Sequence, residues 1–372
     1  MEKKKVIIIG CGRVAAKHIK AICKLKDHLE LAALVDVSED APKKLLEGSK
    51  LTSEAKEKVR IFKDYKEAID TVKPDIVAVT VPSGLHYQIA EYGLSNGCNL
   101  LLEKPMTMSS EESRLIYELS RKTGNKIAMG HIYRYFPLVK YLREDIVNGS
   151  FGKITHGTIF VRWGHGEDYY KSAAWRGTWR SDGGAMMNQT IHAIDLLVWL
   201  MGTKPVSATA MLSQRLRDIE AEDLGMAVLK MDDGSLASIE GTTATSDKDH
   251  AAMFSIFTED GTISLGLRKG KPKLDIRYKG KSRNMHYIMK QIREEGIGSM
   301  LNALNPHTGI YDDFVKAIDE GRQPLADAMS GYTSVDTLLG IYRSAKEKRE
   351  IPLPLKEPFA SSDMTGFFEK NS

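Results

Sequence analysis

The stretch Val6-Ile7-Ile8-Ile9-Gly10-Cys11-Gly12-Arg13-Val14-Ala15 decides the fold. Its four consecutive β-branched residues describe a strand buried on both faces, and the G-x-G-x-x-A that follows turns the chain abruptly into a helix. Gly10 permits the tight turn, Gly12 removes a side chain that would hold a pyrophosphate off the backbone, and small Ala15 lets the helix pack closely on the strand. The helix through His18 and Ile22 offers unpaired N–H groups and roughly half a positive charge at its start, where phosphates bind. The stretch therefore reads as a dinucleotide-binding turn, with Arg13 and Val14 beside the ligand. Alone the fingerprint is weak, because Gly-rich turns of this kind also occur for structural reasons. A second strand, Leu31-Ala32-Ala33-Leu34-Val35, strengthens it by ending at Asp36, near the spacing of about 20 residues expected of a ribose-binding carboxylate. Asp36 suits a ribose diol, whereas a 2′-phosphate would meet like charge with no Arg in the next few residues. The expected cofactor is NAD rather than NADP.

Beyond Asp36 the pattern keeps alternating. An amphipathic segment near Ala41 to Leu46 leads to a strand around Val59 to Phe62, a helix through Tyr65 and Ile69, and the buried strand Ile76 to Val79. This alternation implies a parallel, doubly wound sheet. Ligands lie at the carboxyl ends of such strands, so Pro82, Ser83 and His86 are expected to line the cofactor cleft; His86 also suits a structural hydrogen bond at a helix start. In the run Cys98-Asn99-Leu100-Leu101-Leu102-Glu103-Lys104-Pro105 a buried strand delivers Glu103 and Lys104 to the same edge, directly before Pro105. Helix Ser110 to Lys122 and strand Lys126 to Met129 complete about six strands, and the first domain closes at Gly130.

Composition sets the bounds. The 372 residues suffice for two domains, and 42% hydrophobic with 27% charged residues describes an ordinary globular protein. A formal charge of +4 supports neither a nucleic-acid nor a membrane partner. Cys11, Cys23 and Cys98 form no disulfide framework and no C-x-x-C pair, and the apolar run before Gly10 is too short for a signal peptide or a span. The expectation is a cytoplasmic, reduced protein without a metal.

The second half reads as an α+β domain over 131–356, followed by a tail over 357–372. A helix carries Pro137 in its first turn, where proline is tolerated. Strand Ile154 to Trp163 precedes an aromatic, Gly-rich loop with Tyr169, Tyr170, Trp175, Arg176 and Trp179. Aromatic planes beside an arginine suit a sugar ring and an anionic group, and also suit an interface between domains. Helix Met187 to Met201 carries Asn188, His192 and Asp195 on one face. From Val206 to Tyr278 apolar segments alternate with turns such as Asp232-Asp233-Gly234, predicting an antiparallel meander in a largely antiparallel open sheet. The basic stretch Lys269 to Arg283 suits either a nucleotide diphosphate or a solvated hairpin. Three amphipathic segments follow, around 287–304, 310–320 and 328–346. The tail shows no period, leaving disorder or a reach to a neighbouring subunit open.

The G-x-G-x-x-A, the Pro82 to His86 loop and Glu103-Lys104-Pro105, in this order, resemble the Gfo/Idh/MocA family of sugar and inositol oxidoreductases. His131-Ile132-Tyr133-Arg134-Tyr135 resembles that family's link into its second domain, and Asp182-Gly183-Gly184 through His192 and Asp195 its catalytic helix. The resemblance implies a Rossmann domain, a second domain whose open sheet face pairs in a homodimer or homotetramer, and NAD-dependent oxidation of a sugar or cyclitol alcohol. It implies catalytic roles for Lys104, His192 and Asn188, although the family usually has Asp at the position of Asn188. It adds Glu103, Lys104, Trp175 and Arg176 to the cofactor residues, and makes Lys104, Tyr133, Asn188, His192 and His307 the substrate contacts. The segment Trp175 to Trp179 with Asn188 and His192 is similar to members that oxidise C3 of UDP-N-acetylglucosaminuronate; inositol and free-sugar dehydrogenases share the framework.

Roles follow from acidity. A lysine starts at about 10.4 and a histidine at about 6.5, so a lysine base near neutrality needs its pKa lowered by about three, some 4 kcal/mol of environment. Proton transfer is therefore assigned to His192 and electrostatic positioning of the reacting oxygen to Lys104. Asn188 cannot take a proton but can orient His192 or bind a hydroxyl. Two rivals are a regulatory NAD-binding protein that has lost the chemistry, and a zinc alcohol dehydrogenase built on His165, Glu167 and Asp168.

Overall fold

The computed structural model describes residues 2–246, 250–297 and 305–369. Two compact units emerge, one of residues 2–107, 112–136 and 305–332, the other of residues 108–111, 137–297 and 333–369 with 247–249 left aside.

The first unit is built on a six-stranded parallel sheet: β1 (Lys4–Ile9), β2 (Leu29–Val35), β3 (Arg60–Phe62), β4 (Ile76–Val79), β5 (Asn99–Leu102) and β6 (Ile127–Met129), in the order β3-β2-β1-β4-β5-β6. That is the order of a doubly wound dinucleotide-binding sheet, with its switch point between β1 and β4. Val6, Ile7 and Ile8 are fully buried, which is why β1 reads as an unbroken apolar run. Helices Ala15–Lys24, Asp40–Glu47, Tyr65–Val72 and His86–Ser95 connect the strands. The helix Tyr65–Val72 starts where the Asp64 carboxylate accepts from the Lys66 and Glu67 N–H groups. A short helix, Ser53–Lys58, started by Thr52, has no apolar stripe and escaped the sequence reading.

This unit does not stop at Gly130. It runs on to Phe136 and takes back helix His307–Glu320, whose buried Ile310, Tyr311, Phe314 and Val315 pack toward helix Ala15–Lys24. Contiguity in sequence put that helix with the second domain; burial of its apolar stripe puts it with the first.

The second unit carries a nine-stranded sheet: β7 (Ile154–Trp163), β8 (Pro205–Ser213), β9 (Leu224–Met231), β10 (Leu236–Thr242), β11 (His250–Thr258), β12 (Gly261–Arg268), β13 (Lys271–Tyr278), β14 (Lys281–Ser282) and β15 (Ile351–Pro352). Its order is β14-β13-β12-β11-β7-β10-β9-β8-β15. The expected meander is therefore split in two by β7, which pairs antiparallel with β11 and parallel with β10. The basic stretch forms the largely exposed hairpin of β13 and β14.

Helix Ile191–Met201 lies against β7 and β11. A Cβ on Gly157 of β7 would come within 2.8 Å of Leu197 and Met201, so the strand gives way to the helix. The opposite sheet face leaves Met211, Met226, Val228 and Leu236 exposed. Of the three late amphipathic segments, residues 298–304 of the first lie outside the described residues; the others are His307–Glu320 and Ala328–Glu347.

Residues 357–369 are ordered on their own unit. Ser109 bridges to Ala360, Ser361 Oγ donates to the Trp179 carbonyl at 2.6 Å, and Phe368 stacks on Trp179. Among the described residues no helix is long and apolar enough to cross a membrane.

Candidate active site

The glycine turn is built as its residue types demand. Gly10 has φ +97°, and a Cβ there would sit 2.8 Å from the backbone of Thr80 and Val81. A Cβ at Gly12 would meet nothing within 4 Å, so open space lies where a pyrophosphate must approach the backbone. Arg13 is exposed and Val14 half-buried at the start of helix Ala15–Lys24, whose first turn carries no acidic residue. Asp36 accepts from the Cys11 N–H at 2.7 Å and from the Ser38 N–H at 2.9 Å, so its carboxylate is tied to the turn. Burial, then Asp36, pushes the Cys11 thiol up to about 12, leaving it inert. These features fit a dinucleotide without modification.

Pro82 and Ser83 follow β4 on a 3₁₀ turn, exposed and half-buried. His86 is different. It is buried, with Nδ1 2.8 Å from the Pro105 carbonyl and Nε2 3.0 Å from that of Val81, which is the structural alternative raised for it. Burial, only partly offset by these carbonyls, lowers its pKa, so the neutral ring donates at one nitrogen, and we assign that proton to the shorter contact.

Glu103 and His307, expected at the cofactor and the substrate, meet each other. The Nε2–H groups of His18 and His307 both donate to Glu103 Oε1, each at 3.1 Å, and His18 Nδ1 accepts from the Tyr311 hydroxyl at 3.1 Å. Burial raises the Glu103 acid, but the two imidazole hydrogen bonds outweigh it and hold the carboxyl well below its usual range. Burial likewise lowers His18. Among the described residues these three are the only group of their kind that brings metal-ligating atoms within 4.8 Å of one another. Their contacts are already at hydrogen-bond distance, so a carboxylate gripped by two imidazoles accounts for them. Lys104 follows half-buried, with a cis bond to Pro105. Tyr133 sits on the 3₁₀ turn Ile132–Tyr135, stacked on Phe136.

In the second unit, the helix bearing the other candidates opens with a π-helical turn, Met186–Thr190, a distortion frequent at functional sites. Asn188 and His192 are half-buried; Asp195 is buried and accepts from Ser334 at 3.1 Å. The Asp182 carboxylate accepts from the Asn188 amide and, at 2.8 Å, from the Gly177 N–H. Asn188 Oδ1 in turn accepts from Gln189 at 2.8 Å. A carboxylate thus stands one hydrogen bond away from Asn188, where the resemblance expects one at position 188 itself. Gly184 is forced by Glu222: a Cβ would lie 2.2 Å from Glu222 Oε2. Glu222 is fully buried, and Oε1 accepts from the Met186 N–H at 2.9 Å and from Tyr342 at 2.8 Å. Burial pushes its acid up to about 8. Arg176 lies over Tyr169 and Trp175, 4.2 and 4.5 Å from the ring centroids, and His165 stacks on the same Tyr169.

Sequence reasoning missed His18 and Glu222 as site-shaping residues, and named Asp182 only as the start of the motif that resembles the family's catalytic helix. His18 falls one turn after Ala15 on the buried helix face, a signal that was available; Asp182 meets the nearby Gly177 and Asn188, whereas the contacts of Glu222 with Met186 and Tyr342 are long-range. Among the described residues His165, Glu167 and Asp168 are not brought together as a group of ligand atoms.

A parallel sheet in this order, a glycine turn at its switch point and a strand-end lysine define an NAD-binding oxidoreductase. Residues 4–131 match the family profile described as "Oxidoreductase family, NAD-binding Rossmann fold", and residues 139–264 that of the "GFO/IDH/MocA C-terminal domain". The chain belongs to the Gfo/Idh/MocA family of oxidoreductases. D-glucoside 3-dehydrogenase of Escherichia coli is 24% identical over 365 residues, covering 94% of this chain and 97% of its own. UDP-N-acetylglucosamine 3-dehydrogenase of Acidithiobacillus ferrooxidans is 23% identical over 278 residues, 71% of this chain and 80% of its own. The WlbA dehydrogenase from Bordetella pertussis, solved with NADH and UDP-GlcNAcA, is 29% identical with a TM-score of 0.85, covering 95% of this chain and 99% of that one.

Proposed function

We propose that this chain oxidises a secondary alcohol of a nucleotide sugar, C3 of a UDP-N-acetylglucosaminuronate type, passing the hydride to NAD. The observation that carries the reading is the 29% identity, across nearly the whole chain, to a dehydrogenase solved with NADH and UDP-GlcNAcA. NAD supplies the hydride acceptor. His192 takes the hydroxyl proton, and Lys104 holds the oxygen as negative charge develops on it. Asn188 binds a neighbouring hydroxyl or orients His192, its own side chain held by Asp182 at the amide and by Gln189 at Oδ1. Arg176, flattened on two aromatic rings, offers a planar donor to an anionic group of cofactor or substrate. Gly10, Gly12 and Asp36 bind the dinucleotide.

A second reading, oxidation at C3 of a free glucoside, is favoured by the Escherichia coli relative, which covers 94% of this chain. Inositol oxidation is the remaining framework. The cytoplasm is the proposed compartment, and a second copy of the chain is the proposed cover for the sheet face that exposes Met211, Met226 and Val228.

The test is NADH appearance on mixing protein and NAD with inositols, free sugars and glucosides, sugar phosphates and UDP-sugars. Signal confined to UDP-sugar acids supports the first reading. Signal with glucosides or inositol moves the protein to the second. NAD binding without reduction of NAD by any of them points to the regulatory reading.

A further inference from the structure

We propose that three buried histidines position Lys104 from either side, His18 and His307 through the Glu103 side chain and His86 through the Pro105 carbonyl. The inference rests on the reading of Lys104 as catalytic.

The reason begins in the sheet. Leu102 closes β5, and its carbonyl accepts from the Gly130 N–H at 2.8 Å, while the Glu103 N–H donates to Val79 at 3.2 Å. One residue later the chain leaves the ladder, so what grips the residues on either side of Lys104 helps to fix where it stands. On one side Glu103 accepts two imidazole N–H groups at 3.1 Å on a single oxygen. Hydrogen bonds to a charged acceptor in a buried setting are the strong kind, and both histidines are at most 2% exposed. The carboxylate is also boxed in by backbone: a Cβ on Gly130 would come within 2.7 Å of Glu103 Oε2. On the other side His86 reaches the Pro105 carbonyl at 2.8 Å.

The two grips tie Lys104 to other parts of its unit. His18 stands on the helix that leaves the glycine turn, and His307 opens helix His307–Glu320. Movement of either helix is therefore passed to the residue before Lys104. Glu103 and His307 act in this scheme without touching cofactor or substrate; they are positioning residues.

The test compares His307→Leu, which removes a donor, with His307→Gln, which restores an N–H, in the full chain with NAD and the sugar found in the panel. Misplacement of a reacting group by about 1 Å costs up to about 100-fold, so His307→Leu should lower kcat about 10- to 100-fold and leave the KM for NAD within about threefold. His307→Gln should recover most of the loss. Equal kcat for both variants and the wild type overturns the proposal, as does a kcat loss matched by lost NAD binding. A second readout needs no substrate: the acetylation rate of Lys104, followed by mass spectrometry against exposed Lys171. It should change at least about threefold in His307→Leu while Lys171 does not, by the same loss of fixed geometry. An unchanged Lys104 rate overturns the proposal even where no sugar is turned over, and absence of turnover with a changed rate refutes only the functional reading. Should His307→Leu not fold, Glu103→Gln, which keeps the volume and removes the charge both imidazoles hold, must give the same signatures. Stoichiometric zinc or iron in the purified protein also overturns it, because a metal would then hold the two rings.

Discussion

Replacing Glu222 by glutamine should stabilise the protein, and increasingly so as pH rises. Glu222 is fully buried beneath Gly184, and burial raises its acid from 4.5 to about 8. Below pH 4.5 both folded and unfolded chains hold the proton, and the group imposes no penalty on folding. Between 4.5 and 8 the unfolded chain releases it while the folded one keeps it, so stability falls with pH by at most about 1.4 kcal/mol per unit. Above 8 the loss is complete, at about 5 kcal/mol. Glutamine cannot ionise, yet its Oε1 can accept from Met186 and Tyr342 as the carboxyl does. Urea denaturation of both proteins from pH 5 to 9 isolates the effect, since every other titrating group cancels in the difference. The variant should match the wild type within about 1 kcal/mol at pH 5 and exceed it by about 3 to 5 kcal/mol at pH 8.5. A difference that stays flat with pH, or that runs against glutamine above pH 7, would refute the reasoning.

Gly10→Ala should weaken NAD binding at least about 100-fold in a fluorescence titration, because its Cβ collides with Thr80 and Val81 where φ is already positive. Asp36→Ser should raise the KM for NAD about tenfold in initial-rate assays and narrow the preference over NADP, since it removes the carboxylate proposed to bind the ribose and the acceptor of the Cys11 N–H. Ending the chain after Pro358 removes buried Phe359 and Met364 with the Ser361 bond to Trp179, and should lower stability by about 2 to 5 kcal/mol in thermal melts.

Local pattern made the first sheet legible. The apolar runs of β1, β2, β4 and β5 are each buried on both faces, and such strands advertise themselves without reference to their partners. Strand Ile154–Trp163 was bounded from sequence as it stands in the fold, but its insertion between β10 and β11 was not, because pairing partners are set by contacts far apart in the chain. The same limit hid the return of helix His307–Glu320 to the first unit: its apolar stripe says that it is buried, not against what. At the site, spacing pointed to the glycine turn and to Asp36, which the structure ties together through the Cys11 N–H. His86 and His307 were read toward ligands because a lone histidine carries no mark of its partner; the carbonyls of Val81 and Pro105 and the carboxylate of Glu103 are visible only in three dimensions. The charge that Asn188 lacks stands one hydrogen bond away on Asp182.

The central claim is that His192 moves the proton and Lys104 holds the oxygen during NAD-dependent oxidation of a sugar alcohol. Its most direct test is the rate of NADH formation in a single turnover, followed by absorbance, for the wild type, His192→Gln and Lys104→Ala with the best substrate. Both variants should slow the reaction, His192→Gln by about 100- to 10,000-fold and with loss of the pH dependence of the step. Turnover preserved in His192→Gln while Lys104→Ala abolishes it would contradict the assignment of the proton, and NADH formation untouched by either change would contradict the site.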